Sequence, residues 1–184
     1  MSPFEITSKR LKIRFVQPSD LDEIHELHSL PETDEFNTLG IPESLEETKT
    51  LLEAWVSLNK FADLKNYKLT IVDNSSNSFI GLFGLTLWGG KHRRGEVWYK
   101  IHSDHWGKGY ATEALNLILD YGFNELNLHR IQAGCAIENI GSIKVLEKVG
   151  MIREGQGRQV LPLKSGWSDN YEYSILETDP RPTI

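Results

Sequence analysis

The sequence predicts a mixed α/β fold: a central sheet, antiparallel in its first half and parallel in its middle, with helices on both faces. Three observations predict it. Apolar runs at 67–73, 79–88 and 96–101 follow one another across short turns, which implies antiparallel pairing. From residue 112 onward, helical and strand periods alternate, the pattern of parallel crossovers. With 39% hydrophobic side chains, the 184 residues hold enough apolar material for one core, so a single domain over 1–184 is expected.

Leu11, Ile13 and Phe15 alternate with Lys12, Arg14 and Val16, a first strand. Pro18-Ser19-Asp20 breaks it and offers a cap to a helix running to about Leu30. Ser44 with Glu47 three residues later is a capping box. Behind it Leu45, Leu51, Leu52, Trp55 and Leu58 form an apolar stripe, so a second helix is expected from about 44 to 60. Strands are expected at Tyr67–Asp73, Phe79–Trp88 and Glu96–Ile101, with Asn74–Asn77 as a turn and a basic loop between Gly89 and Gly95. Thr112–Glu125 reads as a helix, Arg130–Ala136 as a buried strand, and Ser142–Val149 as a short helix stopped by Gly150. Glu154–Leu161 and Asn170–Glu177 close the sheet.

Composition excludes several functions. No apolar run approaches the ~20 residues of a membrane span, and Met1 to Arg10 lacks a secretory signal's apolar stretch. The one cysteine, Cys135, has no internal partner, which suits a reducing cytoplasm. A net charge of −6 argues against a nucleic-acid surface. It serves solubility first and a cationic partner second.

The most informative segment is His105-Trp106-Gly107-Lys108-Gly109-Tyr110-Ala111-Thr112-Glu113-Ala114, between a strand and a helix. Glycines there let backbone N–H groups approach a ligand, and the helix adds its positive end, which makes an anion cradle suited to a diphosphate. It lacks the lysine spacing of a nucleotide P-loop. It also fails the dinucleotide fingerprint, since Thr112 stands at the third glycine position and 130–136 holds no acid. A plain strand-to-helix turn stays open for this loop taken alone.

Asn139-Ile140-Gly141-Ser142 and Val145-Leu146-Glu147-Lys148-Val149-Gly150-Met151 follow the next strand. With Trp106–Ala114, and with Ser8–Leu11 leading to Pro18–Leu21, they make the chain resemble the GNAT superfamily of acyl-CoA N-acyltransferases over about residues 7 to 178. The likeness is nearest to the RimJ/RimL type, which acetylates ribosomal-protein N-termini.

The resemblance implies a sheet whose fourth and fifth strands splay apart and acetyl-CoA as co-substrate, with no metal. It implies that Trp106, Gly107, Lys108, Gly109, Tyr110, Ala111 and Thr112 hold the diphosphate. The strand ending at Ile101 would pair with the pantetheine arm, and Asn139 would contact that arm. Glu96 would take the acceptor's proton, and Ser142 would protonate the leaving thiolate. The family often has Arg or Gln where this chain has Trp106, and Gly where it has Trp98; a bulky residue at 98 would reshape the acceptor channel. Capping alone also explains Asn139 and Ser142, and an exposed strand-edge carboxylate explains Glu96.

The implied partner is an amine acceptor: a protein N-terminus, or else a small amine such as a polyamine, an aminoglycoside or an amino acid. A non-catalytic acyl-CoA-binding module is the other reading. Neither nucleic acid nor membrane is an expected partner, and both monomer and homodimer remain open. Pairs His25/His28 and His102/His105 lack a third ligand at metal-site spacing and read as surface histidines. Cys135 reads as a small buried hydrophobe. Lys91, His92, Arg93 and Arg94 read as a solvated hairpin end.

Overall fold

The computed structural model describes residues 4–60 and 64–182, so the first residues of the Met1–Arg10 segment lie outside it. Eight strands form one sheet: β1 (Glu5–Thr7), β2 (Leu11–Phe15), β3 (Asn66–Asp73), β4 (Phe79–Trp88), β5 (Arg94–Ile101), β6 (Arg130–Ala136), β7 (Ile152–Leu163) and β8 (Gly166–Leu176). Their spatial order is β1-β2-β3-β4-β5-β6-β8-β7. Every neighbouring pair is antiparallel except β5 and β6, which run parallel. This is the mixed sheet that the pattern of periods predicts.

Helices α1 (Leu21–Ser29), α2 (Pro31–Asp34) and α3 (Leu45–Leu58) belong to one face; α4 (Tyr110–Asn124) and α5 (Ile140–Lys148) belong to the other. The two cores differ in size. Ala114, Leu115, Ile118 and Leu119 of α4 are wholly buried against Leu11, Ile13, Leu69, Ile71, Phe83 and Ile131. Each leucine or isoleucine among them contributes roughly 1.5–3 kcal/mol by leaving water. On the other face Ile24 and Leu27 of α1 meet Leu52 and Trp55 of α3 over Leu82. Among the described residues, no helix is long and apolar enough to cross a membrane.

The local signals work through particular atoms. The Glu47 N–H donates to Ser44 Oγ at 3.3 Å, while Glu47 Oε2 accepts from the Glu43 N–H at 2.7 Å. The capping box therefore closes one residue earlier than the sequence rule places it. Asp20 precedes α1, but its carboxylate does not cap the helix. It accepts from Arg14 at 2.7 and 2.8 Å, from the Gln17 N–H at 2.9 Å and from the Thr70 hydroxyl at 2.8 Å. One buried carboxylate thus ties β2, β3 and the start of α1 together.

Several expected bounds need correction, among them β5, which starts at Arg94 rather than Glu96, and β8, which starts at Gly166 rather than Asn170. β1 and α2 are too short to carry a period and were not predicted. α4 starts at Tyr110, not Thr112, because Gly109 turns directly into it. α5 starts at Ile140, not Ser142, because Asn139 is its cap.

Trp98 is absorbed without reshaping the sheet. Its indole lies across Gly84 of β4, where a Cβ would come within 2.0 Å of the ring nitrogen. It then leans on Trp55, with ring centroids 6.1 Å apart. Gly84→Ala should overpack this site and destabilise the fold by about 1–3 kcal/mol in urea titrations. Adding Trp98→Leu should recover part of that loss, so that the two changes are non-additive; strict additivity would show that the indole is not what the glycine accommodates.

Candidate active site

The site begins where the parallel ladder stops. β5 and β6 pair at Arg94↔Arg130, Gly95↔Ile131 and Glu96↔Gln132, and no further. β5 stays bound to β4 on its other edge as far as Ile101, and β6 to β8 as far as Ala136. Residues 97–101 and 133–136 therefore flank a wedge, each with one edge outside the sheet. Backbone N–H and C=O groups there require partners. An extended ligand with amide groups of its own can supply them in the manner of an added strand. This is the splay expected between the fourth and fifth predicted strands.

At the far end of β5 the chain turns into the glycine loop. The exposed Trp106 donates its indole N–H to the Ile101 carbonyl at 2.8 Å, which closes the loop onto the strand. Gly107 and Gly109 have φ of 72° and 80°, the left-handed region that favours glycine. Gly109 is the N-cap of α4, and no side chain caps that helix. The backbone amides leading into a 15-residue helix are thus free to face an anion. This geometry fits a diphosphate, with Lys108 and Arg10 as the nearby cations.

Sequence reasoning missed Arg10. Its guanidinium donates to Glu113 at 2.7 Å and to the Lys108 carbonyl at 3.0 Å, and lies 4.7 Å from the Tyr110 ring centroid. Ser8 donates to the other Glu113 oxygen at 2.5 Å. The start of the chain therefore braces the cradle. Ser8 and Arg10 stand within a run already noted as distinctive, but only the three-dimensional partner, Glu113, explains them.

Across the wedge, Asn139 caps α5 by accepting the Ser142 N–H on Oδ1 at 3.0 Å. Ser142 does not cap: its hydroxyl lies 2.9 Å from the Tyr99 hydroxyl of β5. Burial raises the Tyr99 pKa, so this hydroxyl keeps its proton. The Ser142 hydroxyl also neighbours Cys135, whose thiol burial pushes up to about 11. Cys135 is buried and protonated, as expected of a small hydrophobe rather than a nucleophile.

Glu96 stands on the opposite face of the sheet, at the closed end of the wedge. Val97 and Ile101 enter the larger core, so Glu96, Trp98 and Lys100 project to the side of α1 and α3. The Glu96 rim is open to solvent, yet surrounding protein strips part of its hydration. That desolvation and the charge of Glu172 hold its carboxyl above the ordinary carboxylate range, against a hydrogen bond from Gln132. Tyr99 faces the other way. His102, just beyond the strand, accepts from the Asp104 N–H and lies 3.7 Å from Glu26.

On the same side, two clefts of about 320 and 380 Å³ open between the 34–41 loop and the β7–β8 turn. Glu35, Phe36, Glu138 and Trp167 line the first, and Asp34, Asn37 and Leu163 line the second.

The histidine expectation is partly overturned. His28 is 3% exposed and packs near Trp55, and burial lowers its pKa to about 4. His25 bonds Thr48, and His105 bonds the Phe79 carbonyl, so neither is a plain surface histidine. Among the described residues, no group of His, Cys, Asp and Glu could hold a metal ion. The basic hairpin end is also less free than its composition suggests. Arg93 bonds Asn127 and Glu177, and Arg94 bonds Gln132 and stacks on Trp88.

The acetyltransferase (GNAT) domain family matches residues 10–152. The chain is 36% identical to the uncharacterized N-acetyltransferase YnaD of Bacillus subtilis strain 168 over 175 residues, 95% of this chain and 98% of that protein. It is 30% identical over 171 residues to a spermidine N(1)-acetyltransferase of Vibrio cholerae, covering 93% of this chain and 95% of that one. A solved GNAT-family acetyltransferase from Bacillus anthracis superposes with a TM-score of 0.82 at 32% identity, over 96% of this chain and all of the other.

Arg10→Met should loosen the cradle without touching the wedge. We expect the calorimetric affinity for coenzyme A to fall about tenfold, equivalent to about 1.4 kcal/mol. Unchanged affinity would show that the brace does not shape the loop.

Proposed function

Because the chain belongs to the acetyltransferase (GNAT) domain family and so is an acetyl-CoA-dependent N-acetyltransferase, we propose that its acceptor is the N-terminal α-amine of a polypeptide, such as a ribosomal protein. The observation that carries this reading is the wedge, with Glu96 on one face and the Tyr99–Ser142 pair on the other. A free, buried Cys135 supports a reducing, cytoplasmic setting.

In this reading the amides from Trp106 to Thr112 hold the diphosphate, and the edge of β5 ending at Ile101 pairs with the pantetheine arm. Asn139 contacts the arm through its side-chain amide N–H groups, since its oxygen already serves Ser142. The bound thioester supplies an activated acyl carbon. Glu96 accepts the proton that the acceptor ammonium must lose. β5 N–H groups facing the wedge stabilise the charge that develops on the acyl oxygen. The Ser142 hydroxyl gives a proton to the departing thiolate, and the Tyr99 hydroxyl beside it can replace that proton. Holding both substrates in one cleft supplies much of the rate through orientation.

Proton energetics favour an α-amine. With a pKa of about 8, freeing its lone pair at pH 7 costs roughly 1.4 kcal/mol; an alkylamine with a pKa of about 10.4 costs roughly 4.6 kcal/mol. A solvent-connected carboxylate manages the first with less help. A polyamine acceptor is the second reading. It is supported by the acids Glu35 and Glu138 in the cleft and by likeness to a spermidine N(1)-acetyltransferase.

A screen that follows thiol release from acetyl-CoA should decide between them. Peptides with free N-termini should turn over faster than spermidine at pH 7, and the reverse order would favour the polyamine reading. Glu96→Gln should cost about a hundredfold in turnover near pH 7, with coenzyme A affinity little changed. The wild-type rate should rise with pH as Glu96 ionises, above the usual carboxylate range, and the mutant's deficit should narrow as more amine is already neutral. Near-normal turnover of the mutant at pH 7 would remove Glu96 from the mechanism.

A further inference from the structure

The open half of the sheet carries a second carboxylate that the chemistry above leaves unused. Ile131, Ala133 and Cys135 of β6 and Tyr171, Tyr173 and Ile175 of β8 pack into the larger core. Alternation therefore turns Gln132 and Gly134, with Asn170, Glu172 and Ser174, to the opposite face, the one that carries Glu96. On that face α1 and α3 cover β4 and β3. Glu96, Gly134 and Glu172 are all exposed.

Strand register places the two glutamates. Glu96 pairs with Gln132, where the parallel ladder ends, and Glu172 pairs with Gly134, two residues farther along β6. They flank β6 from its two sides, two strand spacings apart, about 10 Å between backbones. At the level of Glu172, β6 offers only Gly134, which has no side chain.

Both carboxylates are held by an amide. Asn170, 6% exposed, lies over Gly134, where a Cβ would come within 2.8 Å of its amide nitrogen. That nitrogen donates to Glu172 Oε1 at 2.5 Å. Gln132 accepts from Arg94 at 3.1 Å, which turns its amide N–H groups toward Glu96.

Like charges facing one exposed stretch of sheet repel unless a cation joins them. The cations of this face are committed elsewhere. Arg94 bonds Gln132 and stacks on Trp88, Arg130 bonds Glu154 of β7 and Ser174, and Lys100 lies four residues beyond Glu96 on β5. The acceptor ammonium is the cation that the reaction itself brings.

We propose that Glu172 is a positioning residue of the acceptor site, taking one N–H of the incoming ammonium while Glu96 takes another. The proton on the second N–H passes to Glu96, which becomes a neutral carboxyl group as the ammonium becomes an amine. The N–H kept by Glu172 then holds that amine with its lone pair free for the acyl carbon. The proposal rests on Glu96 being the base, and it holds for a peptide α-amine and a polyamine alike.

The test is initial-rate kinetics across pH for wild type, Glu172→Gln, Glu172→Asp and Glu96→Gln, with an amidated peptide and with spermidine as acceptors. Glu172→Gln should raise KM for the amine about tenfold, the loss of one charge-assisted hydrogen bond. KM for acetyl-CoA and the thermal midpoint should not change. The acid limb of kcat/KM should move to lower pH, because Glu96 loses the like charge that favours its protonated form. Glu172→Asp should restore the limb and part of the affinity. An unchanged KM for the amine, or an unmoved limb, would overturn the proposal and leave Glu172 a solvated strand carboxylate. A matching rise in KM for acetyl-CoA, or a fall in thermal midpoint, would overturn it by making the residue structural. Near-normal turnover of Glu96→Gln would instead bring down Glu96 as the base, whatever Glu172→Gln does.

Discussion

The structure turns on the early end of one parallel ladder. Pairing between β5 and β6 stops at Glu96↔Gln132, while β4 and β8 hold the two strands to their ends. Neither strand can drift inward to close the gap, because each is registered to an antiparallel neighbour. The wedge is therefore built in, and the backbone groups along it must be satisfied by something other than the sheet. Hydrogen bonding that a continuous sheet would spend on its own cohesion is held ready for a ligand with amide groups. The Tyr99–Ser142 bond spans this gap from β5 to α5 and is the one side-chain tie described across it.

The position of the anion cradle follows from the same strand. β5 ends at Ile101, and its last carbonyl is held by Trp106, so the glycine loop starts where the wedge is widest. A ligand with an extended arm and a diphosphate at one end then has a single direction in which to lie. The Trp106 indole fixes the loop onto the end of β5. Arg10 and Glu113 complete the brace from the other side of the chain. The N-terminus of α4 is thereby presented in one orientation.

Much of this was legible in sequence, for identifiable reasons. β4 and β6 have the predicted bounds, Phe79–Trp88 and Arg130–Ala136, because turn residues flank both segments. The boundaries of α5 were less legible, since Asn139 and Ser142 are both good caps, and only the Tyr99 hydroxyl shows which of them has another partner. His28 was misread because a histidine three residues from another on an amphipathic helix looks solvated, and its packing near Trp55 comes from a distant segment. Lys100 was illegible for a similar reason. Alternation puts it on the same face as Glu96, but periodicity cannot say that burial there will lower its pKa to about 8. The glycine spacing marked the loop that turns into α4, while its brace, Arg10 to Glu113, spans about a hundred residues and leaves no local signal.

The division of labour across the sheet has a stereochemical logic. Alternation along β5 sends Glu96 to one face and Tyr99 to the other, and Ser142 joins Tyr99 from the start of α5. A nucleophile and a leaving group occupy different positions around an acyl carbon, and in the proposed reaction a proton must leave one and reach the other. A base and an acid side by side would exchange that proton directly and cancel each other's readiness. Separated by the thickness of a sheet, they keep opposite states at the same pH. In the proposed reaction Glu96, its carboxyl raised by desolvation and by Glu172, serves as the base, while burial keeps the Tyr99 hydroxyl protonated. In that proposal the two-sided pleat keeps both groups ready at once, and the wedge gives a substrate access to both.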